Sequence, residues 1–287
     1  MTNVGHSAGV RRERKVATVQ IGGMALRDGV LLQSERYWAA ALTTPGGELE
    51  IVSGKKRLLP GHEAALKVPV VRGLARIVES AGMLPALRRR AGRAVLPLED
   101  PRLIAATAGS TAAALLLRRS RKGSPLAREA AIAAASLAPA LLALRGSELS
   151  RYHGAEHKSV AAYETGASAD AAAKEHDRCG SNLVAPLVLT NLLTGLVLRG
   201  SGRERRPLAV LLAGLVSIGS AVELFSWMAQ HKGHPVADML RAPGIELQHL
   251  FTTREPTDEQ LDVAHAALQE LLRLEGAAPT TVAPAGA

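Results

Sequence analysis

Cysteine is all but missing from this chain: Cys179 is the single thiol in 287 residues. That excludes an intrachain disulfide framework. It suits a reducing compartment, a metal ligand or simply a small buried residue. Aromatic residues are scarce as well, at 2%. The 47% hydrophobic content is therefore carried mostly by Ala, Leu and Val, small side chains that let helix backbones approach and fit helical packing better than a sandwich core. Acidic residues are outnumbered, 26 against 35 Lys and Arg, which leaves a formal charge of +9. Such a balance attracts nucleic acid or an anionic membrane surface. No basic patch is interleaved with aromatics, so nucleic acid is not an expected partner, whereas long apolar runs make the lipid bilayer one. The residues up to Lys15 contain no apolar core and do not read as a secretory signal peptide. Both 1–15 and the Ala/Pro/Thr-rich stretch 276–287 are expected to be disordered.

Between these ends the period of the apolar residues changes along the chain. Val16–Ile21, Gly29–Leu32, Tyr37–Leu42 and Glu48–Val52 read as short strands separated by Gly22-Gly23 and Pro45-Gly46-Gly47, a small antiparallel sheet of three or four strands. From Val68 the spacing turns helical: Val70, Leu74, Ile77, Val78, Ala81 and Leu84 share one face, with Arg72, Arg76 and Glu79 opposite and Pro69 at a first-turn position. This helix is expected to pack on the sheet or to lie on a bilayer surface. Near the other end, Thr257 and Gln260 form a capping-box pattern, and Leu261, Ala264, Leu268, Leu271 and Leu272 make one apolar stripe.

Four apolar runs occupy the middle: Leu103–Leu117, Ala130–Leu144, Leu183–Leu198 and Leu208–Met228. A full span needs roughly 20 residues, so the fourth is long enough and the first three are short, fitting tilted or shallow spans or a buried soluble bundle. They pair into two helical hairpins. The expected architecture is mainly α and membrane-resident: a lead at 1–15, a soluble α+β region at 16–95, a hydrophobic hairpin at 96–146, a polar segment at 147–181, a second hairpin at 182–229, a soluble C-terminal region with a helix at 230–275, and a tail at 276–287. Basic residues near the spans lean towards an inside N-terminus. That places the soluble parts of a multi-pass cell-membrane protein in the cytoplasm, in keeping with the lone thiol.

The polar segment carries the chemistry. Ser147 can cap a helix and Gly166 can end it. Within it, His153, Glu156 and His157 form the H-x-x-E-H pattern, in which two imidazoles one helical turn apart converge on one ion and the carboxylate activates water. Neutral imidazole favours zinc among divalent metals. A catalytic zinc takes three protein ligands, and the candidates for the third are His176, Cys179 and Glu223. Glu223 lies within the fourth apolar run, where a carboxylate is costly unless it binds a metal or pairs with an Arg on another helix. Two chance histidines on a surface helix are the plainer reading of the pair itself.

YHGAEHK (Tyr152–Lys158), HDRCGS (His176–Ser181) and PGIELQHLFTTREP (Pro243–Pro256) occur in the order seen in YqhQ-like proteins (domain of unknown function 1385). GGMALRDGV (Gly22–Val30) and VPVVRGLARIVES (Val68–Ser80) resemble segments of the same family. The resemblance runs from Gly22 to about Glu275. It implies a bacterial membrane protein with plastid relatives, labelled as a metal-dependent enzyme on the same His/Glu pattern. Its polar set falls on His153, Glu156, His157, Lys158, His176, Arg178, Cys179, Glu223, Arg254 and Glu255. Met24 stands where the family has Gln, Asp28 where it has Glu, and Asp177 where it has Pro.

Two functions compete. In a metal-dependent membrane hydrolase, His153, His157 and one of His176, Cys179 or Glu223 hold the ion, Glu156 is the general base, and Lys158 or Arg178 steadies developing negative charge. In a scaffold, the same residues form a structural metal clamp or a hydrogen-bonded core. A channel, needing polar groups at depth, has only Glu223, Asn191 and Ser217 to use.

Overall fold

A computed structural model describes residues 19–120, 123–144, 148–203 and 206–277. The expected disordered lead, all but the first two residues of the expected tail, and the Ser147 cap lie outside the described residues. Strands β1 (Gly22–Leu26), β2 (Gly29–Gln33), β3 (Tyr37–Thr43) and β4 (Leu49–Lys55) pair in sequence order as an antiparallel meander. The glycine pair expected to end a first strand at Ile21 instead begins one. The tight turn at Arg27-Asp28 sets Leu26 opposite Gly29, so β2 is fully paired by Gly22–Leu26. No length of β2 is left to pair with the residues before Gly22.

Both faces of the sheet are covered. Val30, Leu32, Ala39 and Ala41 pack on one side into a core with Tyr152, Leu268 and Leu272. Leu26, Leu31, Trp38 and Leu42 pack on the other against Met83 and Leu87. Burial on both sides explains why GVLLQ and YWAAALT run apolar without alternation.

Ten helices follow among the described residues: α1 (His62–Leu66), α2 (Val71–Ala81), α3 (Leu84–Ala91), α4 (Pro101–Arg119), α5 (Pro125–Leu144), α6 (Glu148–Thr165), α7 (Val184–Gly200), α8 (Pro207–Gln230), α9 (Pro235–Leu247) and α10 (Asp258–Glu275). The capping box at Thr257 and Gln260 opens α10, and its apolar stripe is buried on the sheet and α6.

The amphipathic helix α2 departs from expectation. It packs on α8 rather than on the sheet, and Pro69 precedes it, since Val70 sits at its N-cap with φ 69°. Its buried residues are Gly73, Ala75 and Glu79, the last of which accepts from Leu59 N and His62 Nδ1. Val71, Ile77 and Val78 are exposed. Contact with α8 runs through two glycines. A Cβ on Gly219 would stand 2.5 Å from Val70 Cγ1, and one on Gly73 3.0 Å from Val222 Cβ.

Among the described residues three helical segments, rather than four, are long and apolar enough to cross a membrane: Leu126–Leu144, Gly180–Gly200 and Pro207–Gln230. α4 falls short because Arg102, Arg118 and Arg119 bound its uncharged stretch at 103–117. The outward faces of α7 and α8 are apolar: Val197, Leu208 and Leu211 are all exposed. Between the two helices Thr190 Oγ1 and Ser217 Oγ share a 3.0 Å hydrogen bond, and Asn191 donates to Leu187 O in its own helix. The polar groups that a channel would need are thus spent within the bundle.

The two glycine positions of α8 set a test. Gly219→Ala drives a methyl into Val70 and is expected to cost about 1–3 kcal/mol. Gly214→Ala meets no atom within 4 Å and is expected to gain about 0.5–1 kcal/mol from helix entropy. Thermal midpoints of the two variants in one detergent should move in opposite directions.

Candidate metal centre

Helix α6 is unusual in what it buries. Glu156, His157, Lys158 and Ser159 are all buried in succession. Two features draw it inside. Tyr152, Ala155 and Val160 belong to the core under the sheet, and Gly154 lets the chain at Arg254 lie directly on the helix. A Cβ on Gly154 would stand 2.1 Å from Arg254 O, while Arg254 N donates to Ser150 O at 2.9 Å. Gly166, with φ 72°, ends the helix as expected, its N–H donating to Ala162 O.

The histidines are oriented by backbone carbonyls. His153 Nδ1 lies 2.8 Å from Thr252 O, and His157 Nδ1 lies 2.6 Å from Lys174 O. A carbonyl can only accept, so each Nδ1 carries a proton, and it is Nε2 of each ring that would offer a lone pair to an ion. The two rings are 4.4 Å apart. Cys179 Sγ lies 3.3 Å from His153 Nε2, and ligand atoms of His153, His157 and Cys179 all lie within 4.8 Å of one another.

This set fits a zinc-like ion. With Zn–S near 2.3 Å and Zn–N near 2.0–2.1 Å, tetrahedral ligand atoms sit about 3.4–3.6 Å apart. The Cys–His pair is close to that spacing, and the widest pair needs to close by about 1 Å. Burial, with the neighbouring His153 second, holds the His157 imidazole well below the usual histidine range, in the neutral form a metal ligand requires. Burial also pushes the Cys179 thiol up to about 11.

Glu156 stands beside the cluster, its Oε2 3.6 Å from His157 Nε2. Desolvation raises its pKa, offset by His153 and His176. Strand β1 presses against this carboxyl group, so that a Cβ on Gly23 would be 2.4 Å from Glu156 Oε1. Only glycine admits the strand here. Together Gly23, His153, Glu156, His157, Arg178 and Cys179 line a polar chamber of about 50 Å³, room for a few water-sized groups at about 10–15 Å³ each.

The other expected residues sit differently. His176 is close, its ring 5.6 Å from that of His157, but both its nitrogens are engaged. Nδ1 accepts from Arg178 N, which leaves Nε2 to donate to Glu164 Oε2 at 3.4 Å. Arg178 pairs with Glu164. Lys158 turns aside to Glu255 at 2.9 Å and Asp170 O at 3.1 Å. Glu223 does not join the cluster: its carboxylate is held by the Arg72 guanidinium and by Val70 N at 3.2 Å, so the expected alternative of an interhelical ion pair accounts for it.

Residues outside the motif hold the loop that brings Cys179 in. Gln248, fully buried, accepts from His176 N at 2.7 Å and donates to His176 O at 3.2 Å. Asn182, also fully buried, donates to Asp177 O at 2.7 Å. Gln248 begins a π-helical turn, Gln248–Thr252, at the end of α9, and that turn delivers the Thr252 carbonyl to His153. Its place within PGIELQHLFTTREP marks Gln248 only through the family resemblance; nothing in its spacing reveals a contact with His176.

Comparison with known proteins agrees with the motifs. Residues 146–274 match the model of a protein family of unknown function (DUF1385). The chain is 26% identical over 295 residues to the uncharacterized protein YqhQ of Bacillus subtilis (strain 168), covering 88% of this chain and 92% of that one. No solved structure matches. The two matches support the YqhQ-like, DUF1385 family assignment.

Two measurements follow from the geometry. Gln248→Leu strips the partners from His176 N and O, and is expected to cost about 1–3 kcal/mol for each buried group left unpaired, read as a lower thermal midpoint. In chelated protein at pH 8, a thiol with a pKa near 11 should alkylate about a hundredfold more slowly than a free cysteine of pKa about 8.5, and denaturation should restore the ordinary rate.

Proposed function

We propose that this YqhQ-like chain is a membrane-embedded, metal-dependent enzyme, most simply a hydrolase, with a divalent metal, zinc first, as its cofactor. The observation that carries the reading is the pair of backbone-oriented imidazoles whose Nε2 lone pairs converge with Cys179 Sγ beside a buried carboxyl group. His153, His157 and Cys179 would hold the ion. Three protein donors leave a fourth position, as catalytic rather than structural zinc sites do. A bound ion there acts as a Lewis acid and lowers the pKa of coordinated water. Cys179 and His157 serve it by giving up or lacking a proton. Glu156, kept in place by Gly23, is the general base, taking a proton into a site where burial already favours its protonated form. Arg178 steadies the far wall through Glu164 and His176.

A cell-membrane location belongs to the same proposal. Three long apolar helical segments and the exposed apolar faces of α7 and α8 support it, with the soluble parts on the cytoplasmic side, where a lone thiol stays reduced. The second reading, a scaffold with a purely hydrogen-bonded core, draws on the 3.3 Å Cys179–His153 contact, which satisfies both groups without an ion.

Metal analysis of protein purified in detergent separates the two. One equivalent of metal is expected, lost in both His153→Ala and His157→Ala. Cobalt substitution should give a near-ultraviolet thiolate charge-transfer band that Cys179→Ser abolishes. Glu156→Gln should keep the metal yet fail to restore function to cells lacking the protein. Metal-free wild-type protein prepared without chelator overturns the metal reading, and a functional Glu156→Gln overturns the enzymatic one.

A further inference from the structure

The polar chamber shares walls with a second, larger space. A cavity of about 770 Å³, within the usual range of about 300–1,000 Å³ for small-molecule sites, lies between α4 and α5 and has His153 and Cys179 of the candidate metal centre in its lining. The two spaces share Gly23, His153, Cys179 and Gly180 as walls.

Its lining is apolar in effect as well as in composition. The hydroxyl groups on its α4 and α5 walls are already spent on backbone carbonyls. Thr107 donates to Leu103 O, Thr111 to Thr107 O, Ser136 to Ile132 O, and Ser110 crosses from α4 to Ala135 O of α5. At the inner end the character reverses. His153 and Cys179 face the cavity there, as does Thr252, whose buried hydroxyl has no partner. Met24 lines the same space and adds to its apolar wall.

A molecule that fills this space must be hydrocarbon along most of its length and polar at one end only. One wall, α5, contributes a segment apolar enough to span a bilayer. We infer that the cavity takes one acyl chain of a bilayer phospholipid, with the ester-bearing head end against His153, Cys179 and Thr252, and that phospholipid acyl esters are the substrate class of the site. The inference rests on the enzymatic reading for the word substrate, but the lipid binding it asserts is independent of any metal. Hydrolysis at that end consumes one water and releases a fatty acid and the corresponding alcohol, with no other reactant.

The test uses the full chain in nanodiscs containing phosphatidylglycerol with a diazirine on one acyl chain, irradiated and mapped by peptide mass spectrometry. Labels are expected to concentrate on cavity-facing Thr107, Thr111 and Ser136. Filling the cavity with Ala114→Trp or Ala140→Trp should cut that labelling about tenfold. Labelling of the outer α8 residues Leu211 and Leu215, the metal content and the thermal midpoint should not change. Cavity labelling no greater than that of the α8 face, or unaltered by both Trp variants, overturns the inference, as does labelling by a free diazirine fatty acid alone. Selective lipid labelling in metal-free protein leaves the lipid binding standing and removes the metal centre together with the substrate assignment. Bound metal without selective labelling does the reverse.

Discussion

The constraint on which the rest depends is the burial of a polar helix face. α6 places Glu156, His157, Lys158 and Ser159 out of water in one continuous stretch, and unpaired groups there each cost on the order of 1–3 kcal/mol. The surrounding architecture answers that cost from three directions. Lys174 O and Thr252 O come from separate loops to fix the imidazoles. Asp170 O and Glu255 take the Lys158 ammonium group. Strand β1, flat against the helix at Gly23, closes the side on which Glu156 lies. A helix that only had to fill space would carry Leu at these places, at far smaller cost in desolvation.

How much of this was legible follows from how local each feature is. Two histidines one turn apart need only a helix to face the same way, so the pairing of His153 and His157 could be read from spacing alone. Cys179 is brought in by Gln248 and Asn182, one of them 72 residues from the His176 backbone it holds; no periodicity encodes that. Glu223 shows the same limit from the other side. A carboxylate in an apolar run reads alike whether it binds an ion or an arginine, and its partner Arg72 is 151 residues away. The sheet was visible from its turns, but the first strand slipped. Residues 16–21 have strand propensity; 16–18 lie outside the described residues, and 19–21 stay out of the sheet because the two-residue turn after Leu26 pairs β2 with Gly22–Leu26. The helix α2 is legible from its period but its contact is not, because it meets α8 through Gly73 rather than through its large side chains.

The family match covers residues 146–274, which contain every donor of the candidate centre. That segment alone does not build the site. Gly23, far outside it, makes the nearest approach to Glu156. The α4–α5 hairpin, also outside, supplies a large part of the apolar cavity's lining. The similarity to YqhQ runs over 88% of the chain, and so takes in both the candidate donors of the second half and the lining that the first half adds.

The identity of the third donor has a consequence for the reaction. A carboxylate at that place would leave the ion more electrophilic; a thiolate, softer and more strongly donating, neutralises part of its charge. In the proposed metal enzyme, proton abstraction would then fall more heavily on the protein, and a carboxyl group whose pKa is raised by burial would be better matched to that task near neutral pH than an ordinary Glu. Under that proposal the buried Glu156 and a Cys179 donor would be complementary features of one site. Were Glu223 the third ligand, the first would lose much of its reason. Glu223 is instead tied to Arg72 by an ion pair between α8 and α2.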